Sequence, residues 1–359
     1  MNCFLKFVIL AYHILTMRSI SVIVILALFI FSCKDSRHTP DVSGIKINLQ
    51  TQRFEQDLFG LDTNNMAGSL QALQQKYPRF FGDFMNNILG VSPADPNAPL
   101  ILRKFMADFR PLKQAADQKL PDLGAYSKEV EQMLRYVKYY FPAYPLPANL
   151  ITFIGPMDAF YESSLGWSGD IITTSGLGVG LQMHLGSESS FYMPVEGNGY
   201  PEYISRKFEP EYIVVNCGKN VVDDLFPDQS KTLALIDQMV DKGKRLYILD
   251  QLLPNTADTL KIGYTNAQLQ GCYKNEGLIW NMFIQNNLLY ETDFQKIKSF
   301  VGEGPTTPEI GEYSPGFIVL FTGKRIVETY MEKNPNTTLQ QLIAMDGRKL
   351  LEGSKYKPK

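Results

Sequence analysis

The hydrophobic period changes once near the middle of the chain and then changes back, and this limits the fold more than any other feature. Up to residue 141 apolar positions recur at helical spacing, in stretches 53–59, 65–75, 78–89, 100–109 and 122–141. The last of these is the clearest, with Leu123, Tyr126, Val130, Met133, Leu134 and Val137 on one stripe. A breaker at 92–99 contains three prolines, and Pro142, Pro145 and Pro147 close the region. Residues 149–154 and 170–174 read as strands, with shorter extended pieces at 176–181 and 191–193 among glycines. Helical spacing then returns. Pro210 takes a first helical position in 209–226, and 231–242 stops at Gly243. Thr265 and Gln268 form a capping box opening 265–287, and Ser314-Pro315 starts a helix to Met331 with Gly323 inside it. So little strand, enclosed by so much helix, predicts a mostly helical α+β domain with a small central sheet. Without repeats or heptads, 45–359 reads as a single domain.

The N-terminal stretch belongs to export rather than to the fold. Arg18 precedes an apolar run from Ile20 to Phe31, broken only by Ser21, and Ser32-Cys33 follows. This is a signal peptide over 1–32, too short and too abruptly ended for a membrane span. Ile30, Ser32 and Cys33 resemble a bacterial lipobox, with Phe31 bulkier than the usual pattern; an ordinary signal peptide or uncleaved anchor is the alternative. Met17 is a sufficient start, since the arginine and the apolar run both follow it. Residues 33–44 are then a lipidated N-terminus and flexible tether, attached to the membrane through Cys33.

Composition excludes several chemistries. With 35 basic and 37 acidic residues, nothing calls for nucleic acid as a partner. Of three histidines, His13 lies in the leader and His38 just after it, so only His184 serves the body. No zinc site built on two histidines can form within one chain, and any histidine-based catalysis must use His184. Cys217 and Cys272 can make at most one disulfide in the exported body.

Several positions are candidates for a site. Glu276 interrupts an apolar stripe of Leu269, Cys272, Tyr273, Ile279, Trp280 and Phe283, so its carboxylate needs a partner. That partner is an Arg or Lys of another helix or, in the sharper alternative, a ligand in a cleft. Asn216, Asn220 and Asp224 recur at spacing four, the geometry of the zinc-gripping HExxH helix. Here amides replace the ligands and Cys217 stands where the base belongs, so a solvated polar face is the simpler reading. Gly176-Leu177-Gly178-Val179-Gly180 lacks the Lys-Ser/Thr of a phosphate loop and reads as a strand or turn, and no cofactor is expected. His184 is a hydrogen-bonded structural residue or a catalyst, and Trp167 a loop anchor or a partner contact.

Several segments together resemble the GldB family of gliding-motility lipoproteins. They include Arg53-Phe54-Glu55-Gln56-Asp57-Leu58-Phe59, Tyr77-Pro78-Arg79-Phe80-Phe81, the glycine run through His184-Leu185-Gly186, and Tyr200-Pro201-Glu202-Tyr203-Ile204. Ile262-Gly263-Tyr264-Thr265, Asn275-Glu276 with Ile279-Trp280, and Ser354-Lys355-Tyr356-Lys357-Pro358 continue them in order. The sequence departs from the pattern at Gly271-Cys272 and at 317–321, where tryptophan is expected. The resemblance implies a lipid-anchored envelope protein, outer-membrane in placement, whose partners are proteins of the gliding machinery. It also implies a distant likeness to zincin peptidases, with Asn216, Cys217, Asn220 and Glu276 as degenerate metal-site positions, no metal, and a non-catalytic role. An envelope hydrolase working through carboxylates or His184, and a structural lipoprotein unrelated to motility, are the alternatives.

If Cys33 carries the acyl chains, Cys33→Ala abolishes labelling by a palmitate analogue and releases the body from the membrane fraction or stalls its processing. Each buried methylene contributes about 0.8 kcal/mol to anchoring. Unchanged labelling would refute the lipobox.

Overall fold

The computed structural model describes residues 39–193, 199–311 and 314–359. The leader, its cleavage point and Cys33 lie outside the described residues. Val42–Lys359 forms one compact unit. In chain order, β1 (Gln50–Arg53) runs straight into α1 (Phe54–Phe59), followed by α2 (Met66–Lys76) and α3 (Phe80–Asp83), which continues as a π-helical turn over Phe84–Ile88. Then come α4 (Ala98–Asp108), α5 (Arg110–Lys119) and α6 (Gly124–Tyr140). The central window supplies β2 (Asn149–Phe153), β3 (Tyr161–Ser163), β4 (Gly166–Ser168), β5 (Ile171–Thr173) and β6 (Gly176–Gly180). The rest is helical: α7 (Glu202–Ser205), α8 (Tyr212–Leu225), α9 (Leu235–Leu252), α10 (Asp258–Ile262), α11 (Asn266–Lys274), α12 (Glu276–Gln285), α13 (Phe294–Val301), α14 (Val319–Lys333), α15 (Leu339–Ala344) and α16 (Gly347–Ser354). The protein is a mostly helical α+β domain around a small mixed sheet.

The main sheet has the order β1-β2-β6-β5. β1, β2 and β6 are parallel, and β5 returns antiparallel at the edge through a tight hairpin. β2 takes an inner place because both its faces are apolar and covered, Leu150, Ile151 and Phe153 all being buried. In β6, Gly176, Gly178 and Gly180 share one face, while Leu177 and Val179 on the other are wholly buried. Gly178 is opposite Ile151 and Ile171. A Cβ on it would meet the Ile171 Cγ2 at 2.9 Å and the Phe153 ring at 3.3 Å. Phe153 in turn packs on Phe80 and Phe84, which closes one end of this face.

Several boundaries differ from the periodic reading, each for a local reason. Gly243 does not stop a helix: α9 runs through it to Leu252, because Gly243 lies against Gly323 of α14. A Cβ on Gly243 would sit 2.2 Å from the Gly323 carbonyl, and one on Gly323 would sit 1.9 Å from the Met239 oxygen. The 265–287 helix is two helices. The Thr265–Gln268 capping box opens α11, but Asn275 leaves helical geometry and its side chain bonds back to the Gly271 carbonyl. α14 starts at Val319, not Ser314, since the Ser314 hydroxyl is committed to Thr307 and Gly311 and Phe317 adopts φ 58°. α8 begins two residues after Pro210. Residues 191–193 form a turn rather than an extended piece. Cys217 and Cys272 are both buried and unpaired.

Gly323→Ala should therefore force α9 and α14 apart. Overpacking typically costs about 1–3 kcal/mol, and contact with backbone places this site at the upper end. A thermal melt indistinguishable from the parent would contradict the direct backbone contact.

Candidate functional site

A cleft of about 930 Å³ lies on the sheet, at the Gly176 end of the glycine face. Gln52, Asn149, Ile151 and Gly176 form its floor, and β5 with Thr174 and Ser175 runs along it. One wall is Tyr77 to Asn87 and the other is the proline-rich segment Tyr144 to Ala148 with Asp224. Each wall is tied to the fold. Ser175 donates to Asp83 at 2.8 Å, and the Asn149 amide donates to the Ser175 carbonyl at 2.8 Å. The Tyr144 hydroxyl donates to Asp224, and this bond and burial raise the phenol pKa. The Arg79 side chain, which lines the cleft, has no charge or hydrogen-bond partner among the described residues.

Behind β5 lies a buried charge centre. Asp170, wholly buried, receives the Gly180 N–H at 2.9 Å, the Asn216 amide at 2.8 Å and His184 Nε2 at 3.0 and 3.1 Å. The other ring nitrogen of His184 faces the Glu209 carbonyl at 3.2 Å. Burial opposes charge on this imidazole, but the Asp170 carboxylate and the two hydrogen bonds outweigh it and raise the pKa. His184 is 1 % exposed, and both its nitrogens are occupied. Asn216, Asn220 and Asp224 do share a face of α8, and the row leads from Asp170 to the cleft, about 12 Å over eight residues. Asn220 lies between, its Nδ2 buried and without a hydrogen-bond partner among the described residues. Burial drives the Cys217 thiol well above its ordinary pKa, and nearby Asp170 adds to this, which disfavours the thiolate.

Glu276 has other neighbours. Arg325 Nε lies 3.0 Å from its carboxylate and the Tyr356 hydroxyl 2.8 Å away, and its side chain is 14 % exposed. It ends a chain of charges that starts at buried Asp250, which pairs with Lys261 and Lys324 at 2.7 Å each. The side chains of Asn216 and Glu276 bond to different partners, Asp170 for the one and Arg325 with Tyr356 for the other. Among the described residues no three His, Cys, Asp or Glu side chains are grouped to hold a metal ion.

Periodicity missed a third cluster, the socket of the β3–β4 hairpin. Asp223 accepts from the Ser164 N–H and hydroxyl, Lys242 donates to the Ser164 carbonyl at 3.1 Å, and Lys219 donates to the Leu165 carbonyl at 3.1 Å. Burial and neighbouring Lys207 lower the Lys219 pKa to about 8. The lysines falling on buried helix faces were the available signal. The grip fixes a hairpin whose Trp167 is 48 % exposed, opposite Glu162, which pairs with Lys231 at 2.9 Å.

The His184–Asp170 pair yields a signed prediction. A histidine pKa raised in the folded state contributes stability fully below about pH 6.5, and this is lost as pH rises through the raised value. Asp170→Asn breaks a buried pair, which costs about 3–5 kcal/mol, and it should also flatten that pH dependence. Melting curves across this range check both effects.

None of the described helices is long and apolar enough to cross a membrane. No curated protein and no solved structure matches the chain. The model of the gliding motility protein GldB does match it, over residues 35–358. That match spans both the cleft and the charge centre behind it, and the chain belongs to the GldB family of gliding-motility lipoproteins.

Proposed function

We propose that this chain is a non-catalytic scaffold of the gliding machinery, lipid-anchored at the outer membrane, which holds an extended segment of a protein partner in the sheet cleft. The carrying observation is the cleft itself. It is at the upper end of ligand-pocket size, β6 contributes only the side-chain-free Gly176 to its floor, and β5 ends the sheet beside it. An edge strand offers main-chain groups to an added strand, and the neighbouring pockets take alternate side chains. The sealed His184 supports a binding role over histidine-based hydrolysis, since neither ring nitrogen is free to exchange a proton with a substrate. Family membership supports a role in motility over an unrelated structural one.

A photo-crosslinking residue at Thr174, exposed at the hairpin tip, should capture an envelope protein in gliding cells. Thr174→Arg should reduce colony spreading while leaving the melting temperature unchanged. Hydrolysis of envelope peptides or esters by the purified protein, abolished by Asp83→Asn or Asp224→Asn, would overturn the scaffold reading.

A further inference from the structure

Among the described residues twelve large apolar side chains are exposed, and five of them, Tyr273, Leu278, Ile284, Tyr290 and Phe294, fall within 22 residues. Scattered exposed apolar residues are ordinary, but this concentration is not. Its centre is α12, which is apolar on two sides. Ile279, Trp280 and Phe283 are buried inward, whereas Leu278, 70 % exposed, and Ile284, 45 % exposed, flank the exposed polar residues Asn281 and Gln285 on the outside. Tyr290 and Phe294 follow at 63 % and 58 %.

Cations border this face. The C-terminal segment lies on the start of α12, where a Cβ on Gly277 would be 2.6 Å from the Lys359 backbone. Tyr356 fixes the segment by its bond to Glu276 and its edge-on contact with Trp280, at 5.1 Å between centroids. Lys355, Lys357 and Lys359 are all exposed, as is Lys274 at the end of α11. Of the nearby acids, Glu276 pairs with Arg325 and Glu291 with Lys296, while Asp293 beside Phe294 and Glu352 of the preceding helix are exposed, against four exposed lysines. Exposed apolar and aromatic side chains bordered by lysines are the chemistry of an anionic lipid surface: the former enter the acyl boundary and the latter meet the headgroups. A lipoprotein keeps such a surface within reach, because the nine residues from Cys33 to Val42 span at most about 30 Å. One anchor also gains from a second membrane signal.

We propose that the outer face of α12 with the C-terminal lysines is a second membrane contact, seated on anionic lipid. The test places an environment-sensitive fluorophore on Leu278→Cys in the mature, lipid-anchored chain in vesicles; Cys217 and Cys272 are buried. The same probe at Leu100→Cys, exposed on α4, is the control. With anionic lipid present, the 278 probe should shift to the blue and lose most of its emission to brominated acyl chains, while the 100 probe does neither. Lys355→Gln, Lys357→Gln and Lys359→Gln together should weaken the contact on the order of 100-fold, about fivefold for each lysine lost. High salt on the unsubstituted chain should reverse the shift, which keeps the test independent of how the triple variant folds. An aqueous spectrum at 278 in anionic vesicles overturns the proposal. So does a shift that appears without lipid as protein concentration rises, or only when an envelope protein is added, since the face would then be a protein interface.

Discussion

The Asp170 carboxylate is the constraint around which the sheet half of the molecule is arranged. It sits ahead of β5, takes an N–H from the end of β6, an amide from α8 and the imidazole of His184, and so fixes three elements at one point. A carboxylate wholly removed from water is tolerable only when its lone pairs are met and a counter-charge is near. Both conditions hold here, and meeting them sets where α8 lies against the edge strand. The cleft geometry follows, because β5 forms one side of it and Asp224, two turns beyond Asn216, closes another.

The helical half solves a different problem. α9 and α14 meet backbone to backbone at Gly243 and Gly323, an approach that no other residue type permits. Close approach brings polar stems into the same layer, and Asp250, Lys261 and Lys324 pair there almost without solvent. Asp258, Glu328 and Arg325 extend the pairing outward to Glu276 and Tyr356. The C-terminal segment is thereby held by the same electrostatics that join the two helices.

The fold class, the long helix at 124–140, the parallel strand at 149–153 and the hairpin strands at 171–180 were legible, because long apolar stripes and glycine punctuation are local signals. The need of Glu276 for a partner was legible too, and Arg325 supplies it. What could not be read depends on contacts distant in sequence. Gly243 looks like a stop until Gly323, eighty residues away, is placed against it. Asp170 carries no motif, and its importance appears only when Gly180, His184 and Asn216 converge. The short β1 and the β3–β4 hairpin were invisible because strands of three or four residues hold too little pattern. The lysines of the hairpin socket fall among apolar positions of their helices, but the buried hairpin carbonyls they donate to are distant in sequence.

The alternation of glycine with Leu177 and Val179 in β6 has a consequence for how this strand can evolve. Its covered side is filled by branched apolar groups whose size can drift if the neighbouring helices adjust. Its glycine side, buried as well, tolerates no drift at all: at Gly176 φ is +139° and a Cβ would lie 2.4 Å from the Asn149 oxygen, while at Gly180 it would lie 2.4 Å from the Gly169 oxygen. The strand is thus free to vary on one side only. Along an alignment of relatives it should read as invariant glycine at every second place, with interchangeable aliphatics between, a pattern imposed by packing that would be easy to mistake for a nucleotide-binding signature.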